Sequence, residues 1–197
     1  MRDWVYEKLG QLGDVAVLGL LILFFSLPII TIIPSLSAGI EIFHHKRKYG
    51  YISNITQTFF SYFKSILLKG VVCQIIIVFI SCIGYLNIEI ANTFANYKSV
   101  FIYAITIFFL FIAISTTLNF MFVIGGKDVL TTRELLKSSL LLVFVRFPLL
   151  IILLAYYFIF ILITWIFPPI LILTVCLICY LHYKLEFKIW EPIYKSL

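Results

Sequence analysis

Charged residues are scarce in this chain. Its 197 residues include 15 Lys or Arg and 9 Asp or Glu, so charged side chains make up 12% of the sequence and hydrophobic ones 63%. The charges lie in short clusters between long uncharged apolar segments. About 20 apolar residues are enough for a helix to cross the roughly 30 Å hydrocarbon core of a bilayer. The composition therefore excludes an ordinary soluble domain and predicts an all-α, polytopic membrane protein.

Motifs that bind phosphate groups or catalytic metals are also missing. The sequence contains neither a GxxxxGK[ST] phosphate-binding loop nor an HExxH zinc motif. His182 and Glu186 are spaced for one helix face, but a catalytic zinc needs three protein ligands. We therefore expect a protein that is not an enzyme, with no catalytic, cofactor-binding or metal-binding residues, no cofactor and no nucleic-acid partner.

Five apolar segments are long enough to predict transmembrane helices. They run over residues 15–33, 70–88, 99–124, 147–166 and 167–183. The last two are separated by Pro168 and Pro169, which cannot donate backbone hydrogen bonds, so we expect a tight hairpin there. The first segment contains Pro28 and Pro34, which predict a broken helix. Two half-helices or a re-entrant hairpin are the alternatives to a single crossing.

The distribution of Lys and Arg predicts the orientation in the membrane, because basic loops are retained on the cytoplasmic side. One set of connections contains Lys46, Arg47, Lys48, Lys64, Lys69, Lys127, Arg133, Lys137, Lys184, Lys188 and Lys195. The opposite set contains only Arg2, Lys8 and Lys98. We therefore predict a bacterial plasma membrane protein whose N-terminus is outside and whose C-terminus is cytoplasmic. A re-entrant first segment would place the N-terminus on the other side.

Two connections have the spacing of amphipathic cytoplasmic helices, over residues 53–68 and 128–145. In the first, Ile55, Phe59 and Phe63 share one face, and Asn54 is a favourable N-cap residue. This apolar face has two interpretations. It lies either in the headgroup region of the lipid bilayer or against a cytoplasmic partner such as a transporter ATPase.

Polar residues inside the apolar segments are the remaining candidates for a site. Gln74 and Asn119 are strongly polar side chains within the spans, and we expect them to join helices or to line a solute path. The first segment adds four further candidates, which are Ser26, Pro28, Thr31 and Pro34. There the two prolines remove backbone donors, and hydroxyl groups can bond the freed carbonyls. Such a broken helix is either a structural kink or a site for a solute or partner.

The segment from Ser26 to Ala38, with the sequence SLPIITIIPSLSA, resembles the signature of the YesL family of bacterial membrane proteins. The likeness continues through the amphipathic loop, the Lys-containing helix before the fourth span and the final Glu186-Phe187-Lys188. Ile33 stands where a glycine is common in that family. The family has no established activity, and its members are similar to proteins encoded near carbohydrate-uptake ABC transporters in Gram-positive bacteria.

The resemblance implies an accessory or regulatory role in a bacterial carbohydrate ABC transport system, with subunits of the transporter as partners. The alternative is a small transporter or channel that assembles as a homo-oligomer, with a solute path at the broken first helix. Copurification of transporter subunits would favour the first function, and solute flux in liposomes would favour the second.

Overall fold

The computed structural model consists of helices joined by short connections. It describes residues 2–50, 52, 54–93, 97–126 and 131–194, and the side chains of 13–50, 52, 54–93, 100–124, 131–168 and 170–185. Within these ranges the α-helices are α1 (Arg2–Ser26), α2 (Ile32–Tyr49), α3 (Ile55–Thr93), α4 (Tyr97–Gly126), α5 (Thr132–Val145), α6 (Phe147–Ile166) and α7 (Leu171–Tyr194). No strand is present in the described ranges, and the predicted all-helical fold is confirmed.

Among the described residues, three helices are long and apolar enough to cross a membrane. They are α3, residues Val100–Ile124 of α4, and α6. They contain the predicted spans at 70–88, 99–124 and 147–166. The described apolar parts of α1 and α7, Gly13–Ser26 and Leu171–Leu185, are shorter than a full crossing. Five complete spans are therefore not found among the described residues.

The predicted first span is replaced by a helical hairpin. Helix α1 ends at Ser26 and α2 begins at Ile32, after a short 3₁₀ turn. The two helices run antiparallel, since Gly39 of α2 packs against Ile22 of α1, and Leu18 lies near Ile42. The chain therefore enters and leaves the α1–α2 hairpin at the same end, which is the end with the basic loop.

Helix α3 is longer than the sequence predicted. The amphipathic segment at 53–68 and the span at 70–88 form one uninterrupted helix of 39 residues, and Ser53 lies outside the described residues. At 1.5 Å per residue this helix is about 58 Å long, nearly twice the roughly 30 Å hydrocarbon core. Gly70 does not end a helix but allows close contact, because its α-carbon faces the Pro34 ring of α2.

Of the remaining helices, α4 and α5 contact α3, whereas α6 and α7 pack against other helices. Helix α4 runs antiparallel to α3, with Leu110 against Gly84, and α5 folds back along α4. The predicted amphipathic helix at 128–145 corresponds to α5, and its residues 128–130 lie outside the described residues. Helix α7 runs antiparallel to α6 and packs on α1 and α2, where Ile172 lies against Gly19. The hydrophobic core therefore lies between the α1–α2 hairpin, α3, α4 and α7.

Candidate functional site

Hydroxyl groups stabilise the break between α1 and α2. Pro28 precedes the 3₁₀ turn in an extended conformation, and Pro34 lies in the first turn of α2, where the missing N–H is tolerated. The Thr31 hydroxyl lies within hydrogen-bond distance of the Phe25 and Pro28 carbonyl oxygens, at 2.5 and 2.9 Å. The Ser35 hydroxyl donates to the Thr31 carbonyl at 2.7 Å. Carbonyls freed by the break are therefore bonded inside the hairpin.

The four residues predicted as a broken-helix site have different surroundings. Pro28 is exposed at the turn, whereas Pro34 is buried against Gly70. Ser26 ends α1 and is half-buried, as is Thr31. The structure thus brings these residues together at one turn, and the contacts of Thr31 and Pro34 are made within the chain.

Polar side chains gather at the other end of α2. Glu41 is buried, and its Oε1 lies 3.9 Å from His44 Nδ1. The His44 and Tyr183 rings lie 6.1 Å apart, and Arg47 interacts electrostatically with the Tyr183 hydroxyl. Burial lowers the pKa of His44, and the nearby charges of Lys48 and Arg47 lower it further. This group joins α2 to α7 beside the basic loop.

The basic residues Lys46, Arg47 and Lys48 form the last turn of α2 and are exposed. Cations are favourable there because the helix dipole leaves partial negative charge at a C-terminus. Gly50 ends the helix with φ of 80°, a conformation that glycine adopts without steric cost. The hairpin therefore presents a compact positive end next to the first turns of α3.

The aromatic face predicted to contact lipid or a partner is buried within the chain. Phe59 is 0% exposed and Phe63 is 8% exposed, while Ile55 is half-buried at the edge of the core. The ring of Phe25 lies 5.9 Å from that of Phe59 and 4.8 Å from that of Phe63. The apolar spacing predicts a face in contact with lipid or a partner, but in the structure the α1–α2 hairpin covers that face.

The two polar residues of the spans are buried on neighbouring helices. Gln74 lies on α3 and Asn119 on α4, and no hydrogen bond joins them among the described residues. Asn119 Nδ2 donates to the Ser139 carbonyl of α5 at 3.3 Å. Gln74 Oε1 and Asn119 Oδ1 are buried without a hydrogen-bond partner in the described part of the chain. Asn119 therefore joins two helices, while part of each amide remains unsatisfied.

A cavity of about 890 Å³ opens between α3, α4 and α5. Its walls are largely apolar, with Ile76 and Ile80 on one side and Phe109 on the other, and Arg133 and Lys137 line its α5 side. Sequence reasoning did not find this site. The available signal was the spacing of Arg133 and Lys137, which are one helical turn apart on α5.

Metal-ligating side chains are dispersed. No group of three His, Cys, Asp or Glu in the described ranges is placed to hold a metal ion. His182 is buried, and its Nδ1 lies 3.0 Å from the Tyr157 hydroxyl on α6. Its predicted neighbour Glu186 lies outside the described side chains. His182 thus joins the two helices of the C-terminal hairpin.

Part of the chain matches a protein-family model. Residues 15–88 match the model of a family described as a protein of unknown function, DUF624. No curated protein and no solved structure matches the chain. The matched residues include the proline turn, the basic end of α2 and the first 34 residues of α3. The similarity therefore covers α1 from residue 15, all of α2 and most of α3.

Proposed function

We propose that the protein is a non-enzymatic accessory or regulatory component of a bacterial carbohydrate ABC transport system. The resemblance to the YesL family supports this function, and the continuity of α3 is the structural observation that favours it. One helix includes both a membrane span and the segment that the α1–α2 hairpin covers. A contact made beside the hairpin would thus act on a helix that crosses the bilayer.

The proposal places the chain in the plasma membrane with its basic connections in the cytoplasm. Helices α3, α4 and α6 cross the bilayer, and α7 crosses back over its full 24 residues rather than its shorter apolar part alone, so the C-terminus is cytoplasmic. The α1–α2 hairpin enters the bilayer from the cytoplasmic side and returns. Exposed apolar residues at its turn, Leu27 and Ile29, support this insertion, because they are 76% and 68% exposed.

The basic end of α2 is the proposed contact for a cytoplasmic subunit. Lys46 and Lys48 are exposed there, and they lie beside the group formed by Glu41, His44 and Tyr183. A partner with an acidic surface would be attracted to this end and oriented by it. The face of Phe59 and Phe63 is not part of this contact, because the hairpin already covers it.

Affinity purification in mild detergent from the native host, followed by mass spectrometry, tests the proposal. We expect stoichiometric recovery of ABC permease and ATPase subunits with the wild-type chain. Lys46→Ala with Lys48→Ala should reduce that recovery, whereas Lys64→Ala, an exposed cation on α3, should not. Recovery of this chain alone, at wild-type expression, would contradict the accessory function.

A small oligomeric transporter or channel is the second candidate. It is favoured by the unsatisfied polar atoms of Gln74, Asn119 and Ser37, since polar groups in apolar surroundings often line solute paths. Solute flux into liposomes containing the purified chain would support it. In that case Gln74→Leu should reduce the flux without loss of folded protein, and no transporter subunit should be needed.

A further inference from the structure

We propose that the cavity between α3, α4 and α5 binds one anionic glycerophospholipid, with an acyl chain along α3 and α4 and the phosphate at Arg133 and Lys137. The site goes beyond the accessory function and does not depend on it. It shares no residue with the basic end of α2.

The shape of the cavity suits an acyl chain. It extends along α4 from Ile105 to Thr117, which is about 18 Å at 1.5 Å per residue. This length is more than half of the roughly 30 Å hydrocarbon core, so a chain parallel to the helices fits inside it. Ile76 and Ile80 of α3 and Phe109 of α4 provide its apolar walls.

Two of the four threonines that line the cavity bond their hydroxyls to their own helix, whereas the Thr106 hydroxyl, farther from α5, is buried without a partner among the described residues. Thr116 and Thr117 donate their hydroxyls to the carbonyls of Ile112 and Ala113 on their own helix, at 2.8 and 2.9 Å. Their hydrogen bonds are therefore satisfied without a ligand, and their methyl groups remain to contact one. The cavity next to α5 is thus suited to hydrocarbon.

The charge at α5 suits a phosphate. Arg133 and Lys137 are exposed, line the cavity and lie one turn apart on the same face of the helix. The Glu134 carboxylate lies in the same region, where its Oε2 accepts from the backbone N–H and hydroxyl of Thr131, both at 2.8 Å, and it also attracts Lys137, so the three side chains together carry a net charge of +1. Basic pockets between membrane helices on the cytoplasmic side are typical sites for anionic lipid headgroups.

The charge around Arg133 and Lys137 favours an anionic lipid over a zwitterionic one. The first turn of α5 has partial positive charge from its helix dipole, so with Arg133 and Lys137 against the single carboxylate of Glu134 this end of the helix is net positive. A phosphatidylglycerol headgroup brings one negative charge to this site. A phosphatidylcholine headgroup brings an additional positive charge, which the two cations would repel. The cavity should therefore prefer the anionic lipid, although both lipids supply the same acyl chains.

Lipid retention by the purified full-length chain tests the proposal. Wild-type protein in detergent is incubated with equal amounts of dioleoyl phosphatidylglycerol and dioleoyl phosphatidylcholine, repurified, and its bound lipid counted by native mass spectrometry. We expect one retained phosphatidylglycerol and little phosphatidylcholine. Arg133→Gln with Lys137→Gln should weaken phosphatidylglycerol binding roughly 30-fold, from about 1 kcal/mol per basic residue at the membrane surface.

Two further variants test whether lipid retention depends on these two cations and on the cavity itself. Lys46→Gln with Lys48→Gln removes the same charge from the basic end of α2 and should leave retention unchanged. Ala113→Phe places a ring in the cavity, where Ala113 is half-buried, and should reduce retention of both lipids. If that variant is not monodisperse, Ala113→Leu makes the same measurement with a smaller side chain.

Three outcomes would overturn the proposal. The first is equal phosphatidylglycerol retention by the wild type and by the Arg133 and Lys137 variant. The second is equal loss of retention in the Lys46 and Lys48 variant, because the effect would then be one of net charge. The third is a wild-type dimer in lipid-free detergent that Ala113→Phe converts to a monomer, since a second copy of the chain would then occupy the cavity.

Discussion

Gly19 and Gly13 lie on the same helix but have different surroundings. A β-carbon at Gly19 would overlap the backbone carbonyl of Ile172 in α7, whereas nothing lies within 4 Å of a β-carbon at Gly13. Gly19→Ala should therefore destabilise the fold by about 1–3 kcal/mol, since overpacking forces the backbones of α1 and α7 apart. Gly13→Ala should be neutral or stabilising by up to about 1 kcal/mol, because alanine favours a helix.

The effect of both substitutions on stability is measured as the midpoint of thermal unfolding in detergent. We expect it to fall by several degrees for Gly19→Ala and to stay the same or rise for Gly13→Ala. Equal midpoints for the two variants would show that α1 and α7 are not in close contact.

His44 should make the stability of the fold sensitive to acid. Its pKa in the folded protein is lowered, chiefly by burial, from the ordinary value of 6.5. The folded state thus favours the neutral imidazole. The corresponding stability is present above pH 6.5 and is lost as the pH falls through the lower pKa of the folded state. His44→Gln should reduce the drop in unfolding midpoint between pH 7.5 and pH 5.5, and an unchanged drop would contradict this assignment.

Helix α3 is the element at which the sequence and the structure differ most. Phe63 packs against the hairpin, whereas Phe79, on the membrane-spanning part of the same helix, is 66% exposed. Phe63→Ala should lower the free energy of unfolding by about 3 kcal/mol, because it leaves a cavity in the core. Phe79→Ala should change it little.

Unfolding midpoints and size-exclusion profiles of the two variants distinguish an internal contact from an external one. A stable, monodisperse Phe63→Ala protein that no longer recovers a partner would show that this face binds another protein. A destabilised protein would show that the face belongs to the hydrophobic core.

The boundaries of α3 could not be predicted because two local signals were ambiguous. Lys69 and Gly70 have the composition of a helix end, yet Gly70 continues the helix and admits the Pro34 ring. The apolar spacing of Phe59 and Phe63 indicates one apolar face but does not identify what covers it. Both the length of α3 and the burial of its apolar face depend on contacts between residues that are far apart in the sequence.

At the scale of the whole molecule, the α1–α2 hairpin determines the side on which α1 begins. Asp14 lies near Lys46, so both should be on the cytoplasmic side. In a Cys82→Ser background, Asp14→Cys and Lys48→Cys should react with an impermeant maleimide only in inside-out vesicles. Thr93→Cys, at the other end of α3, should react from the outside. Reaction of Asp14→Cys from the outside would contradict the re-entrant hairpin and would support a single membrane crossing by the first segment.

The whole-molecule architecture was partly predictable. Apolar length was sufficient for the spans at 70–88, 99–124 and 147–166, because the thickness of the bilayer fixes that length. Pro28 and Pro34 indicated a break, but not whether the chain continued or reversed. The cavity at Arg133 and Lys137 was not predictable, because it arises only where α5 folds back along α4.

The contact between α1 and α7 has a consequence for biosynthesis. Gly19 and Ile172 are about 150 residues apart, which at 5–20 residues per second corresponds to roughly 8–30 seconds of translation. During that interval the hairpin is complete but lacks the helix that covers Gly19 and Gly39. Nascent chains that stop before α7 should therefore leave an incompletely packed hairpin in the bilayer, available to membrane chaperones and proteases until the last helix is made.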